Sequence, residues 1–155
     1  MTMSARLKAV LDENQIRYTL MSHSPAYTAQ AAAAMMHVSG KDLAKTVVVL
    51  IGEQSALAVL PASHHVNLRK LGELAGAAVR LASEQEFIGL FPDCELGAMP
   101  PLGELYGLPV YVDQALAADQ EIVFHAGTHR EAIRMRYEDF ARLARPRVGA
   151  FAERG

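Results

Sequence analysis

The sequence predicts an α+β domain in which a mixed β-sheet is covered by helices. Segments with strand character and segments with helical periodicity are interspersed along the 155 residues, and adjacent strands are joined by hairpins, as at residues 52–55. About half of the residues, 51%, are hydrophobic, which is enough for one sizeable core. We therefore expect a single domain over residues 1–155, with its core at about 7–146.

Helices are predicted where a capping side chain precedes apolar residues at helical spacing. The candidate helices begin after Ser4, Thr28, Asn67 and Ser83, the last with Glu86 in a capping box, and a final helix spans Tyr137–Ala144. The alanine-rich helix after Thr28 is expected to end at about His37. The tail after Pro146 is expected to be loose.

Strands are predicted where β-branched and apolar residues cluster between turn signals. They fall at 18–21, 44–51, 56–60, 79–81, 110–112, 122–126 and 133–135. A long loop rich in glycine and proline, over residues 91–109, connects the short helix after Ser83 to the strand at 110–112. Closure of the sheet into a barrel does not follow from this pattern.

Composition excludes several classes of protein. The single cysteine, Cys94, rules out an internal disulfide and a cysteine-based zinc site, which fits a reducing compartment such as the cytoplasm. Neighbouring carboxylates are expected to raise the pKa of Cys94, so we interpret it as a bystander. No apolar run is long enough for a signal peptide or a membrane span. The net charge of −2 gives no indication of DNA binding.

Lys45 is the first candidate for chemistry. In an extended strand it shares a face with Val47, Val49 and Ile51, so its ammonium must either reach solvent or meet a ligand. One interpretation is an ordinary strand-end lysine. The other is a cation at the mouth of a pocket, which stabilises negative charge on an ester carbonyl or a phosphate.

Two loops supply the remaining candidates. In residues 97–103, free backbone N–H groups of Gly97, Ala98 and Met99 would be able to donate to an oxyanion or a ribose oxygen, whereas Pro101 has no N–H and fixes the path of the loop. An ordinary surface loop is the alternative. Gly127, Thr128 and His129 follow a predicted strand, a favoured place for binding groups, and His129 is either a proton carrier or an exposed loop histidine.

Motifs for other chemistries are missing from the sequence. There is no G-x-S-x-G, no P-loop and no G-x-G-x-x-G. No histidine spacing suggests a metal site, and we expect neither metal nor cofactor. Arginines concentrate near the end of the chain, at positions 130, 134, 136, 142, 145 and 147. They form either an RNA-binding patch or a solvated helix face interspersed with acidic residues.

The order of these features resembles the YbaK/EbsC family, also called the prolyl-tRNA-synthetase-associated domain. Lys45, in the segment 40–49, matches the pocket lysine of that family. Gly97 and Pro101 fit its G-x-x-x-P loop, and the segment 126–129 precedes the final helix as it does in the family. The resemblance extends over about residues 7–146.

The resemblance implies a barrel-like mixed sheet ringed by helices and a free-standing, metal-independent deacylase of mischarged aminoacyl-tRNA, often tRNA for proline. The implied catalytic residues are Lys45 and His129. The implied substrate-binding residues are Thr46, Gly97, Ala98, Met99, Pro101, Gly127 and Thr128. Some alanine-editing members carry asparagine at the position of Thr46, which argues against a specificity for alanine. The implied partners are aminoacyl-tRNA and a synthetase, and both monomer and homodimer stay open.

Three other interpretations compete with editing. A binding module would hold an aminoacyl or nucleotide-like ligand without turning it over. A hydrolase of another small aminoacyl ester would act without the RNA body. A purely structural domain would leave Lys45, the glycine loop and the segment 127–129 without a purpose.

Overall fold

The described chain builds three β-sheets and five α-helices. The computed structural model describes residues 3–22 and 42–154, so the predicted helix from Thr28 to about His37 lies outside the described residues. The strands are β1 (Tyr18–Ser22), β2 (Ala44–Ile51), β3 (Gln54–Pro61), β4 (His64–Val66), β5 (Val79–Leu81), β6 (Val110–Asp113), β7 (Glu121–Thr128), β8 (Glu131–Arg136), β9 (Arg147–Gly149) and β10 (Ala152–Arg154).

The helices are α1 (Ala5–Glu13), α2 (Leu68–Ala75), α3 (Glu84–Phe87), α4 (Gln114–Ala117) and α5 (Tyr137–Ala144). The predicted caps of the first three are confirmed, because the side chains of Ser4, Asn67 and Ser83 each accept a hydrogen bond from the first turn. The capping box of Ser83 and Glu86 is also present. None of the described helices has the length and apolar character needed to cross a membrane.

One of the three sheets is mixed, as predicted, and the other two are antiparallel. The largest has the order β5-β2-β3-β6-β9, in which β2 pairs antiparallel with β3 and β5, while β6 pairs parallel with β3 and β9. A three-stranded sheet has the order β1-β8-β7, and β4 pairs with β10. Over residues 3–22 and 42–154 these sheets stay separate, so closure into a barrel is not confirmed.

Alternation along the central strands buries the large sheet on both faces. Leu57 and Val59 of β3 join a core with Leu7 of α1, Phe124 of β7 and Phe140 of α5. The opposite face of β3 presents Ala56, Ala58 and Leu60 to a second cluster that includes Leu71 of α2 and Phe151. One sheet therefore carries two hydrophobic layers, which is the two-sided packing expected for a mixed α+β domain.

The C-terminal tail corrects one prediction, because it is ordered rather than loose. The residues after Pro146 form β9 and β10, and Phe151 between them is fully buried. One carboxylate holds this connection: Oδ1 of Asp113 accepts hydrogen bonds of 2.9 Å from the amides of both Phe151 and Ala152. Its other oxygen, Oδ2, accepts from the Ala115 amide and caps α4. The tail is thus part of the core.

Asp113→Ala is expected to lower the free energy of unfolding by about 2–4 kcal/mol, because buried amides lose a charged acceptor. Urea denaturation checks the value, and Asp139→Ala on the first turn of α5 serves as a comparison. An unchanged denaturation midpoint for Asp113→Ala would mean that Phe151 alone holds the tail.

Candidate active site

The loop before β6 is tied to the end of β7 by backbone hydrogen bonds. The amide of Glu95 donates to the carbonyl of Gly127 (2.8 Å), and the amide of Gly127 donates to the carbonyl of Ala98 (2.9 Å). Both Gly97 and Gly127 have positive φ angles, +85° and +97°, which side-chain-bearing residues rarely adopt. Two of the sequence motifs are therefore brought together in one structural unit, which we call the 95–129 unit (residues 95–99 and 127–129).

His129 is the side chain that this unit fixes most firmly. Its backbone amide donates to Oε1 of Glu95 (2.8 Å), and its ring Nε2 lies 2.6 Å from the carbonyl oxygen of Leu96. A carbonyl only accepts hydrogen bonds, so Nε2 carries a proton and Nδ1 is the basic nitrogen of the neutral ring. His129 is buried, in contrast to the exposed loop histidine considered as an alternative.

A second histidine stands beside the first, and the sequence did not single it out. His125 of β7 is buried, and its ring lies edge-to-face against that of His129, with centroids 5.9 Å apart. The register between β7 and β8 shifts after His125, as it does at a β-bulge. Bulges re-aim side chains next to functional sites, and this one allows both histidines to lie at the same end of β7.

The side chain of Thr128 closes the turn between β7 and β8. It is fully buried, and its hydroxyl oxygen accepts hydrogen bonds from the backbone amides of Arg130 (3.2 Å) and Glu131 (3.1 Å). The predicted strand 122–126 continues through Thr128, so this residue ends the strand rather than following it. Its hydroxyl holds the turn that positions His129.

The backbone donors predicted in the glycine loop are only partly free. The Gly97 amide donates to Sδ of Met99 (3.3 Å), and the Ala98 amide donates to the carbonyl of Glu95 (3.0 Å). The prediction of free backbone amides is therefore wrong for Gly97 and Ala98. Within the described residues the Met99 amide has no such partner, while the side chains of Ala98, Met99 and Pro101 are buried beneath the loop.

Lys45 and Thr46 lie near the start of β2, at a strand pairing that connects them to β7. Leu43 forms a parallel bridge with Val123. Lys45 and His125 lie two residues farther along their respective strands, on β2 and β7. Lys45 is half-buried, and burial lowers the pKa of its ammonium group. Among residues 3–22 and 42–154 no carboxylate forms an ion pair with Lys45, and no hydrogen bond joins it to His129.

A buried polar network that the sequence did not reveal supports the same loop. Ser4 and Tyr106 both donate hydrogen bonds to the carboxylate of Asp93, that of Tyr106 at 3.0 Å. Burial works to raise the pKa of Asp93, but these hydrogen bonds outweigh it and the pKa is lowered. Cys94 lies beside them, and burial raises the pKa of its thiol to about 11. Its thiol is protonated and unreactive at neutral pH, in agreement with the bystander interpretation.

The described residues contain no group of three or more histidine, cysteine, aspartate or glutamate side chains arranged to hold a metal ion. We take as the candidate site a half-buried cation near the start of β2 and a positioned imidazole just after the end of β7. A backbone amide of the loop 95–99 is its third polar group.

Comparison with known proteins places the chain in a family. A sequence model of the aminoacyl-tRNA editing domain matches residues 23–143. The chain belongs to this family of aminoacyl-tRNA editing domains, which confirms the resemblance drawn from Lys45, the glycine loop and the segment 126–129.

The individual relatives have low sequence identity to the chain. The chain is 26% identical over 152 residues to the multifunctional Ser/Thr-tRNA deacylase ProXp-y of Escherichia coli, covering 94% of this chain and 90% of that protein. It is 30% identical over 90 residues to the proline–tRNA ligase of Bacillus cytotoxicus. That match covers 57% of this chain but only 16% of the ligase.

Solved structures share the fold. A hypothetical protein superposes with a TM-score of 0.86 at 22% identity, covering 96% of this chain and 99% of the other. A putative trans-editing enzyme for prolyl tRNA synthetase gives 0.80 at 23% identity, covering 98% and 99%. In each superposition, this chain and the solved chain are covered over nearly their whole length. The α+β arrangement described above is therefore shared with these proteins.

Gly127→Ala is expected to destabilise the protein by about 1–3 kcal/mol, because φ is positive there and a Cβ would lie 3.1 Å from the Cβ of Ser4. Thermal or urea unfolding measures the loss. Gly89→Ala is the matched control, since Gly89 has no positive φ and open space around its Cβ position. Equal stability of the two variants would show that the turn at Gly127 tolerates a side chain.

Proposed function

We propose that this protein hydrolyses the aminoacyl ester of mischarged tRNA in trans, as a metal-independent deacylase of the cytoplasm. The observation that carries the proposal is the half-buried Lys45, whose ammonium has no counter-ion among the described residues. A partly buried cation without a counter-ion lowers the stability of the fold. Such cations are typical of sites where a negatively charged ligand or transition state binds. Membership of the editing family supplies the substrate class.

Lys45 stabilises the negative charge that develops on the ester carbonyl oxygen. Water attacks the carbonyl carbon, the tetrahedral intermediate collapses, and the bond to the terminal ribose oxygen breaks. The attacking water gives up a proton, and the ribose oxygen takes up a proton as it leaves as a hydroxyl, so the step balances without another reactant. The aminoacyl ester is already activated, so positioning and charge stabilisation are enough, and a serine or cysteine nucleophile is not required.

His129 and the loop complete the site in this proposal. His129, whose Nε2 is held by the Leu96 carbonyl, orients the attacking water or the α-amine of the substrate in this proposal. The Met99 amide is a second donor to the oxyanion. Gly97 and Gly127, proposed as substrate-binding residues, give the loop and the strand end the positive φ angles that hold them together, while Ala98, Pro101 and Thr128 hold the loop and turn in shape.

The substrate we propose is tRNA for proline carrying a small non-cognate amino acid. A synthetase pocket cannot reject a smaller or near-isosteric amino acid by binding alone, since one methylene is worth only about 1–3 kcal/mol. The relatives point to proline and to hydroxyl side chains: one is a proline–tRNA ligase and another a Ser/Thr-tRNA deacylase. Half-buried Thr46, next to Lys45, is proposed to help select the side chain, and a prolyl-tRNA synthetase is the candidate partner.

A deacylation screen tests the function. The protein is mixed with tRNA for proline that carries alanine, cysteine, serine, threonine or proline. We expect accelerated loss of at least one non-cognate ester, with prolyl-tRNA spared. Protection of the esters instead of hydrolysis would favour a non-catalytic binding module. Equal hydrolysis of aminoacyl esters without RNA would favour a general aminoacyl esterase.

Lys45→Met is expected to lower kcat/KM for deacylation about 100- to 1000-fold, the usual loss when one oxyanion-stabilising group is removed. The matched control is Lys70→Met, because Lys70 is also partly buried, but its ammonium lies 3.8 Å from the Glu153 carboxylate and outside the site. Full deacylation by Lys45→Met would exclude the proposed role of this lysine.

The same variant is expected to be at least as stable as the wild type at neutral pH. Because burial lowers the pKa of Lys45, the unfolded chain binds this proton more tightly than the folded protein does. The charge therefore opposes folding below the lowered pKa, and the penalty disappears as pH rises through it. Thermal unfolding between neutral and alkaline pH measures this difference, and a large loss of stability in Lys45→Met would contradict it.

A further inference from the structure

His125 lies on the face of β7 that points away from the main core. Ile122 and Phe124 of this strand belong to the core that Leu7 of α1 joins, and side chains alternate between the two faces of a strand. Val123 and His125 therefore project from the opposite face, and both are buried there. His125 is thus a buried polar side chain that lies outside this apolar core.

Lys45 projects to the same side as His125. On β2, Ala44 and Val48 belong to the main core, so the side chain of Lys45 points away from it. A parallel bridge at the start of β2 joins this strand to β7, and Lys45 and His125 each lie two residues beyond the bridge. The alternation of the two strands therefore assigns the lysine and the histidine to one face.

His125 also contacts the second histidine of the site, His129. The centroids of the two rings lie 5.9 Å apart, and their planes meet at 63°, which is an edge-to-face arrangement. The shift of register in β7 after His125 brings the backbone of the following residues round to make this contact. His125 therefore combines a place on the face of Lys45 with direct contact to His129.

The hydrogen bond to Leu96 does not by itself fix the ring plane of His129. It restrains one ring atom, Nε2, at the carbonyl oxygen. The imidazole remains able to turn about the line from Cβ to Nε2, because a hydrogen bond to a carbonyl tolerates a broad range of angles. Packing against the ring limits this rotation. Gly97 lies close on the loop side, where an added Cβ would be 3.4 Å from Cε1 of His129, and His125 supplies the aromatic neighbour.

We propose that His125 is a positioning residue of the hydrolytic site, which holds the ring plane of His129 through their edge-to-face contact. The inference rests on the proposed function, because it concerns the histidine that orients the water or the substrate amine there. A reacting group has to be held within a narrow range of angles, and small misplacements lower the rate of the chemical step. Loss of the His125 ring therefore lowers kcat for hydrolysis more than it weakens substrate binding.

A double-mutant cycle in deacylation tests the coupling between the two histidines. His125→Ala is expected to lower kcat about tenfold with KM nearly unchanged, and His125→Phe, which keeps an aromatic ring, should lose less. In the His129→Ala background, removal of His125 should cause no further loss, because the ring that it positions is gone. His65→Ala is the matched control, since His65 is an exposed histidine on β4. Equal losses from His125→Ala in both backgrounds would overturn the proposal.

NMR relaxation of the ring C–H groups in histidine-labelled protein tests the positioning without any substrate. The chain has six histidines, and His129→Ala assigns the signals of His129. We expect the order parameter of the Cδ2–H bond of His129 to fall in His125→Ala and to stay at the wild-type value in His65→Ala. Should His125→Ala fail to fold in thermal unfolding, His125→Leu fills the space without an aromatic edge and allows the same comparison.

The two measurements separate failure of this inference from failure of the proposed function. A wild type that hydrolyses no aminoacyl ester would count against the proposed function, while the relaxation experiment still decides whether His125 holds the ring. A His129 ring that is as rigid in the folded His125 variant as in the wild type would show that His125 does not position it.

Discussion

The pairing between the loop 95–99 and the end of β7 is the constraint on which the candidate site depends. Two backbone hydrogen bonds join Glu95 to Gly127 and Gly127 to Ala98, across more than 25 intervening residues. They bring the carbonyl of Leu96 to the ring of His129 and so decide which ring nitrogen is basic. The chain can follow this path only because positive φ is available at Gly97 and Gly127.

The network behind the loop makes this arrangement rigid. Asp93 receives hydrogen bonds from Ser4 at the start of α1 and from Tyr106, so one carboxylate ties the first helix to the long loop. The amide of Ser4 also donates to the carbonyl of Ala126 in β7. Preorganised polar groups stabilise a developing charge at little reorganisation cost, and this packing supplies the support that preorganisation needs.

Local signals in the sequence were sufficient for much of the fold. Capping residues and apolar periodicity located α1, α2, α3 and α5, and runs of β-branched residues located β2. The tail was mispredicted because its order depends on a distant carboxylate, that of Asp113, which no local pattern in the sequence reveals. The sheets were predicted to be mixed, but which strands pair in parallel depends on packing over the whole chain.

Prediction of the site was limited in the same way. Lys45, the glycine loop and the segment 127–129 were recognisable as residue types at a characteristic order. The partner of His129 was not, because Leu96 acts through its backbone carbonyl and any residue would supply one. The engagement of the Gly97 and Ala98 amides within their own loop also lies beyond a sequence pattern. His125 had no recognisable spacing, and its place beside His129 depends on the bulge in β7.

The half-buried Lys45 is proposed to meet the negative charge formed during ester hydrolysis, and a titration of this lysine shows whether it does so. The chain has only four lysines, so NMR of lysine labelled at the ε position resolves each ammonium, with Lys45→Arg assigning the signal. Because burial lowers its pKa, Lys45 is expected to titrate below the usual range of a lysine in the free protein. Its pKa should rise when a phosphonate analogue of the tetrahedral intermediate, linked to adenosine, is bound. An analogue that binds while the pKa of Lys45 stays unchanged would contradict the account.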